Sequence, residues 1–116
     1  MDLQKRVQSL QRIVERWEIR GGTPQHEFES DALAYITDDP GYQAIEWVDN
    51  TFHVRWVVPQ AGNDKAHDLY LGFEQKRPTL SSPVDLVQGG KGFLVYDPIF
   101  VGDEFKGFLL AVFRTQ

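Results

Sequence analysis

Apolar positions recur along this chain at two spacings, and these predict its elements. Between residues 2 and 19, Leu3, Val7, Leu10, Val14 and Trp17 follow one another at intervals of 4, 3, 4 and 3, the a/d seam of a helix, and Ile13 widens the stripe. Gly21-Gly22 stops it. Two readings of the seam stand: docking on its own domain, or a dimer interface that continues an upstream helix. Thr23-Pro24 predicts a second helix, with Thr23 as N-cap, Pro24 at the first helical position and Glu27 in the first turn. Phe28, Leu33 (or Ala32), Tyr35 and Ile36 give its apolar face, and Asp38-Asp39-Pro40-Gly41 ends it.

The period then changes to two. A hairpin is expected from Tyr42 to Val48 and from Thr51 to Val58, with Asp49-Asn50 as a tight turn. Alternation places Phe52, Val54, Trp56 and Val58 on one face and His53, Arg55 and Val57 on the other. After Pro59 comes a polar loop over 60–67, then a short helix over 68–76 that Gly72 weakens. Residues 80–87 predict a strand at an edge or with a bulge, because Pro83 has no N–H to give a ladder. The stretch 89–113 predicts a closing hairpin, with a turn over 101–106. Phe93 and Val95 oppose Leu94 and Tyr96, and Phe108, Leu110 and Val112 oppose Leu109, Ala111 and Phe113. With both faces apolar, these strands are expected to be central. The predicted class is α+β: a five-stranded antiparallel sheet with a long N-terminal helix and a second helix on one face. The 59–80 connection would roof the other face, over a ligand pocket.

A length of 116 residues fits one domain. Seventeen acidic against twelve basic residues give a net charge of −5, and no basic patch interleaves with aromatics, which argues against nucleic acid. Without cysteine there is neither a disulfide framework nor a thiolate zinc site. No run of about 18 apolar residues would cross a bilayer, and no signal peptide opens the chain. Met1 leads straight into a helix, so the chain is expected to be a domain of a longer protein.

Candidate chemistry is sparse. Tyr96 is either core or a pocket donor, since a buried hydroxyl needs a partner. Trp56 is either core or a stacking wall. Arg55 is either solvated or a clamp for a ligand carboxylate. Asp85 and Asp97 read as solvent or turn residues. Gly89-Gly90-Lys91-Gly92 precedes a strand rather than a helix, so it is not a phosphate loop. His26, His53 and His67 lack metal-ligand spacing. Ser81 and Ser82 have no evident histidine partner, and the chain is read as non-enzymatic.

Several segments resemble the CHASE family of PAS-like extracytoplasmic sensors. They are Asp39-Pro40-Gly41-Tyr42-Gln43-Ala44-Ile45-Glu46-Trp47-Val48, Arg55-Trp56-Val57-Val58-Pro59, Ser81-Ser82-Pro83-Val84-Asp85-Leu86, Gly92 through Phe100, and Gly107 through Arg114. The resemblance implies a sensor domain of a membrane-bound histidine kinase, or of a cyclic-di-GMP cyclase or phosphodiesterase, on the periplasmic side of the inner membrane. It implies a small-molecule ligand, no cofactor, and anchoring through flanking segments outside this chain. Residues 1–20 would be a signalling helix that pairs in a homodimer, and 23–114 the sensor core, together one domain over 1–116. Matched by motif, Ser81, Leu86 and Tyr96 would line the pocket, with Asp68 as an acidic anchor. The 59–80 connection is shorter than many CHASE sequences carry, so ligand identity does not transfer. The rival expectations are a dimerisation or protein-interaction module whose core is filled by its own side chains, and a cytoplasmic PAS domain holding haem or flavin.

Overall fold

Leu3–Arg20 form helix α1 in the computed structural model, which describes residues 3–63, 79–80, 84–86 and 90–114. The seam of α1 lies on its own sheet: Leu10, Ile13, Val14 and Trp17 are buried, and Val7 packs beside them. These side chains are committed to the intrachain core, so a pairing of two copies through α1 must use its other face. The helix ends where the N–H groups of Gly21 and Gly22 donate to the carbonyls of Glu18 and Trp17, with Gly21 at φ +73°. That is a Schellman cap, and its left-handed residue favours glycine.

Helix α2 spans Gln25–Asp38. Its N-cap is Pro24, in extended conformation, rather than Thr23. The helix thus starts one residue later than the sequence suggests, and the Thr23 hydroxyl is buried without a hydrogen-bond partner among the described residues. Phe28 and Ala32 face the sheet, whereas Leu33 is half exposed. One residue along a helix is a rotation of about 100°, so Ala32 and Leu33 cannot both face inward.

The strands are β1 Tyr42–Val48, β2 Val54–Val58, β3 Thr79–Leu80, β4 Val84–Asp85, β5 Lys91–Val101 and β6 Glu104–Arg114. All pairings are antiparallel, in the order β2-β1-β6-β5-β3, with β4 also on β5. The class is α+β, but the expected five-stranded sheet is not what forms. Four strands are continuous; where the 80–87 strand was expected, the described residues form two two-residue segments, Thr79–Leu80 and Val84–Asp85, on the outer edge of β5, and 81–83 and 87 lie outside the described residues.

Both predicted turns also change. β5 and β6 run on to the pair Val101↔Glu104, so the closing turn is the two-residue Gly102-Asp103. β1 and β2 are joined by 49–53 rather than by Asp49-Asn50 alone. Asp49 organises that loop: its carboxylate accepts from the Thr51 N–H (2.9 Å), the Thr51 hydroxyl (2.6 Å) and Arg55 Nε (2.6 Å). In β2, Trp47↔Trp56 is followed by Val48↔Val54, which makes Arg55 an extra residue. This bulge turns Val54 to the face opposite Trp56, against the expected alternation. Gly107 keeps β6 close to the end of β1: a Cβ there would lie 1.9 Å from the Val48 carbonyl oxygen, and its φ is +95°.

The sheet therefore has two cores. Both helices cover one face, where Trp17, Trp47, Trp56 and Phe28 stack with ring centroids 4.7–6.3 Å apart. The far face is also apolar and buried, formed by Ala44, Val48, Val54, Val57, Leu86, Tyr96, Phe108, Leu110 and Val112. The predicted 68–76 helix, and residues 64–78 of the expected 59–80 roof, lie outside the described residues.

Candidate functional site

The far face is the side that the described helices leave to something else, and strand register fixes its layout. Glu46 pairs with Val57 on one side and Leu110 on the other, and Leu110 pairs with Tyr96. One row thus crosses four strands: Val57, Glu46, Leu110, Tyr96. Strands lie about 4.8 Å apart, which puts the Glu46 and Tyr96 backbones about 10 Å from each other, on either side of Leu110. Phe108 and Phe105 border the row on β6, and Phe52 packs between them with centroids 6.3 and 6.1 Å away.

Glu46 is only 2% exposed. A carboxylate at that depth is tolerated only with donors or a cation around it. Alternation carries the signal that would have identified it: Ala44, Glu46 and Val48 share a face, and the two flanking residues are core. Tyr96 is 7% exposed and meets the Phe108 ring edge-on at 6.0 Å. Burial raises its hydroxyl above the ordinary phenol range, so it stays neutral and can both donate and accept.

Of the residues singled out from sequence, Tyr96 and Leu86 come together on this face. The Leu86 N–H donates to the Gly90 carbonyl at 2.9 Å, which holds the segment before β5 in place. Trp56 lies on the opposite side, 4.7 Å from Trp47 in the helix-facing stack. Arg55 sits at the β2 bulge and is tied to Asp49. Burial alone would raise the Asp49 pKa, but hydrogen bonds from Thr51 and Arg55 outweigh it and hold the carboxyl at about 2. Ser81 and Asp68 lie outside the described residues.

A concavity of about 350 Å³ lies between the start of α1 and the end of α2. Two of its charged residues, Arg6 and Asp39, are spent on each other. Arg6 grips Asp39 with two hydrogen bonds (2.7 and 3.0 Å) and stacks over Phe113 at 4.4 Å, joining α1 to the α2–β1 turn and to β6. The Arg6 hydrogen bonds hold the Asp39 carboxyl below the usual range. Tyr42 also lines this groove. Its hydroxyl is buried without a partner among the described residues, Ser9 facing it without closing a hydrogen bond, and burial pushes its pKa up to about 12. Among the described residues no three His, Asp or Glu side chains gather as a metal site.

An antiparallel sheet with one helix-covered face and one lined face defines the class of domain. No protein-family model matches the sequence, and no curated protein matches it. The fold is similar to part of an extracellular ligand binding receptor from Desulfohalobium retbaense DSM5692, with a TM-score of 0.77 at 19% identity. The match covers 92% of this chain and 21% of that one, so the chain spans about a fifth of that receptor's length. At this identity the likeness is one of fold.

Proposed function

We propose that the chain is an extracytoplasmic ligand-sensing domain, belonging to a larger membrane-anchored signalling protein of the kind the CHASE-like segments suggest. The carrying observation is the Glu46-Leu110-Tyr96 row: two buried polar groups about 10 Å apart on an apolar platform, on the face the helices do not cover. Binding sites for small molecules are mostly apolar walls with a few placed polar groups. The fold shared with part of a receptor described as extracellular and ligand binding supports the same reading. The site takes a molecule with a flat apolar body, a hydrogen-bond donor toward Glu46, and a group that meets the Tyr96 hydroxyl. Ser81 and Asp68 complete the wall in this reading. No described helix is long and apolar enough to cross a membrane; anchoring through flanking segments is part of this proposal.

The reading is tested by thermal-shift and calorimetric screening of the chain with amino acids, amines, nucleobases and small carboxylates. The expected result is a hit at micromolar affinity that weakens at least about tenfold in Glu46→Gln and in Tyr96→Phe, one lost charged or polar contact each. Variants that fold and bind the hit as tightly as the parent would place the site elsewhere. A screen in which no compound moves the melting temperature would favour the interaction-module reading.

A further inference from the structure

Next to Tyr96, on the opposite side of β5, is a group that ligand recognition does not use. Asp97 lies between Val95 and Ile99 on the helix-facing side and is 7% exposed. Among the described residues no donor reaches its carboxyl. The charged groups that face it come from α1, and both are acidic: Glu18 and Glu15. From β6 it meets the apolar residue Leu109, its register partner. No Lys or Arg of any described element offsets the charge there.

Glu18 has a second task. The β5–β6 register shifts between Pro98 and Phe100, where two β6 residues, Lys106 and Gly107, oppose Ile99 alone. Glu18 Oε2 accepts the Phe100 N–H at this irregularity, at 2.8 Å. The side chain that anchors the C-terminal half of α1 to β5 is therefore also the nearest negative charge to a buried carboxyl on the same strand. One residue before Glu18 in α1, Trp17 sits in the aromatic stack, 5.1 Å from Trp47 and 5.5 Å from Trp56.

We propose that Asp97 is a proton-operated latch for helix α1: neutral, it lets α1 lie on β5, and ionised, it repels Glu18 and Glu15 and loosens the helix. The latch is separate from ligand binding on the far face and stands whether or not that reading does. Burial, with Glu18 and then Glu15 adding to it, pushes the Asp97 carboxyl up to about 7. Because the docked state holds its proton more tightly than the released state, docking is strongest in acid. It weakens by up to about tenfold per pH unit as pH rises from the ordinary carboxylate range toward neutrality, and levels off above.

The test is amide hydrogen exchange of residues 10–20 and tryptophan emission of the 116-residue chain, from pH 4.5 to 8, for the parent and for Asp97→Asn. Rates are corrected for intrinsic base catalysis. The expected result is progressively freer α1 amides and a red-shifted emission in the parent as pH rises, flattening near neutrality. In Asp97→Asn, which mimics the neutral acid, both should stay at their acid values. A variant that follows the parent curve would overturn the proposal. Carboxyl carbon NMR of the parent decides the matter even if the variant does not fold: an Asp97 resonance that titrates below pH 5 removes the latch.

Discussion

The two faces of the sheet are built alike and used differently. Each is an apolar surface with one buried carboxyl, Asp97 toward the helices and Glu46 away from them. Toward the helices the partners are visible and aromatic: α1 and α2 supply Trp17 and Phe28, which interlock with Trp47 and Trp56. Away from them, apolar side chains of four strands line a row whose two polar members stand about 10 Å apart. A filled face resists losing a methyl group, because its neighbours cannot follow. On the proposed ligand-binding reading the far face keeps a hollow, and a truncation there would add less new void.

Leu109 and Leu110 turn this into a measurement. They are adjacent, of one type, fully buried, and on opposite faces. Leu109→Ala is expected to cost about 4 kcal/mol, near the top of the range for leucine truncation in a core that cannot collapse. Leu110→Ala is expected to cost about 2 kcal/mol, close to the transfer contribution alone. Urea denaturation of the two variants gives both numbers. Equal losses would mean that the far face is as solidly filled as the helix side.

The Arg6–Asp39 pair comes next in size, and its sign is opposite to that of Asp97. Asp39 is buried and its folded pKa is depressed by Arg6. It therefore contributes stability that is present above the unfolded carboxylate pKa and is lost as pH falls through the folded value. Arg6→Ala should cost about 2 kcal/mol at pH 7, mostly by leaving Asp39 buried without its partner. The variant and the parent should converge only once pH has fallen below the depressed Asp39 value of the parent, where the carboxyl is neutral in both. Urea melts from pH 7 down through the acid range check this. A deficit that persists in acid would assign the loss to the packing of Arg6 on Phe113 instead.

Much of the helix side was legible in the chain. The 3-4 spacing of Leu10, Val14 and Trp17 marks the face that docks, and strict alternation in β5 and β6 assigns their two faces as observed. What escaped has physical reasons. Extra residues at Gln43 in β1, at Arg55 in β2 and in the Lys106-Gly107 pair of β6, which opposes Ile99 alone, shift strand register, and in β1 and β2 nothing in the side chains announces a bulge. One such shift moved Val54 away from Trp56. Phe52 occupies φ +64°, which no aromatic residue advertises. Glu46 and Asp97 were passed over because charge was read ahead of period: each alternates with buried neighbours, and alternation was the better guide. A fifth strand over 80–87 was expected, and the described residues there give only the short pieces Thr79–Leu80 and Val84–Asp85.

The smallest effect separates the faces most finely, through two tyrosines. Tyr42, toward the helices, is 4% exposed, and its hydroxyl has no hydrogen-bond partner among the described residues. Tyr42→Phe removes a buried polar atom that gains nothing from its position, so stability should hold or rise by up to about 1 kcal/mol. The same change would abolish the Tyr42 contribution at high pH, where its folded pKa of about 12 makes the parent lose stability above the ordinary phenol value. Tyr96 is buried to a similar depth on the far face, where the proposed site would use its hydroxyl. Tyr96→Phe should lose about 1 kcal/mol, within the usual worth of one hydrogen bond. Thermal melts of both variants at pH 7 decide it. Opposite signs would show that the far face was shaped around its polar groups and the helix side in spite of them, whereas equal signs would leave the two faces chemically alike.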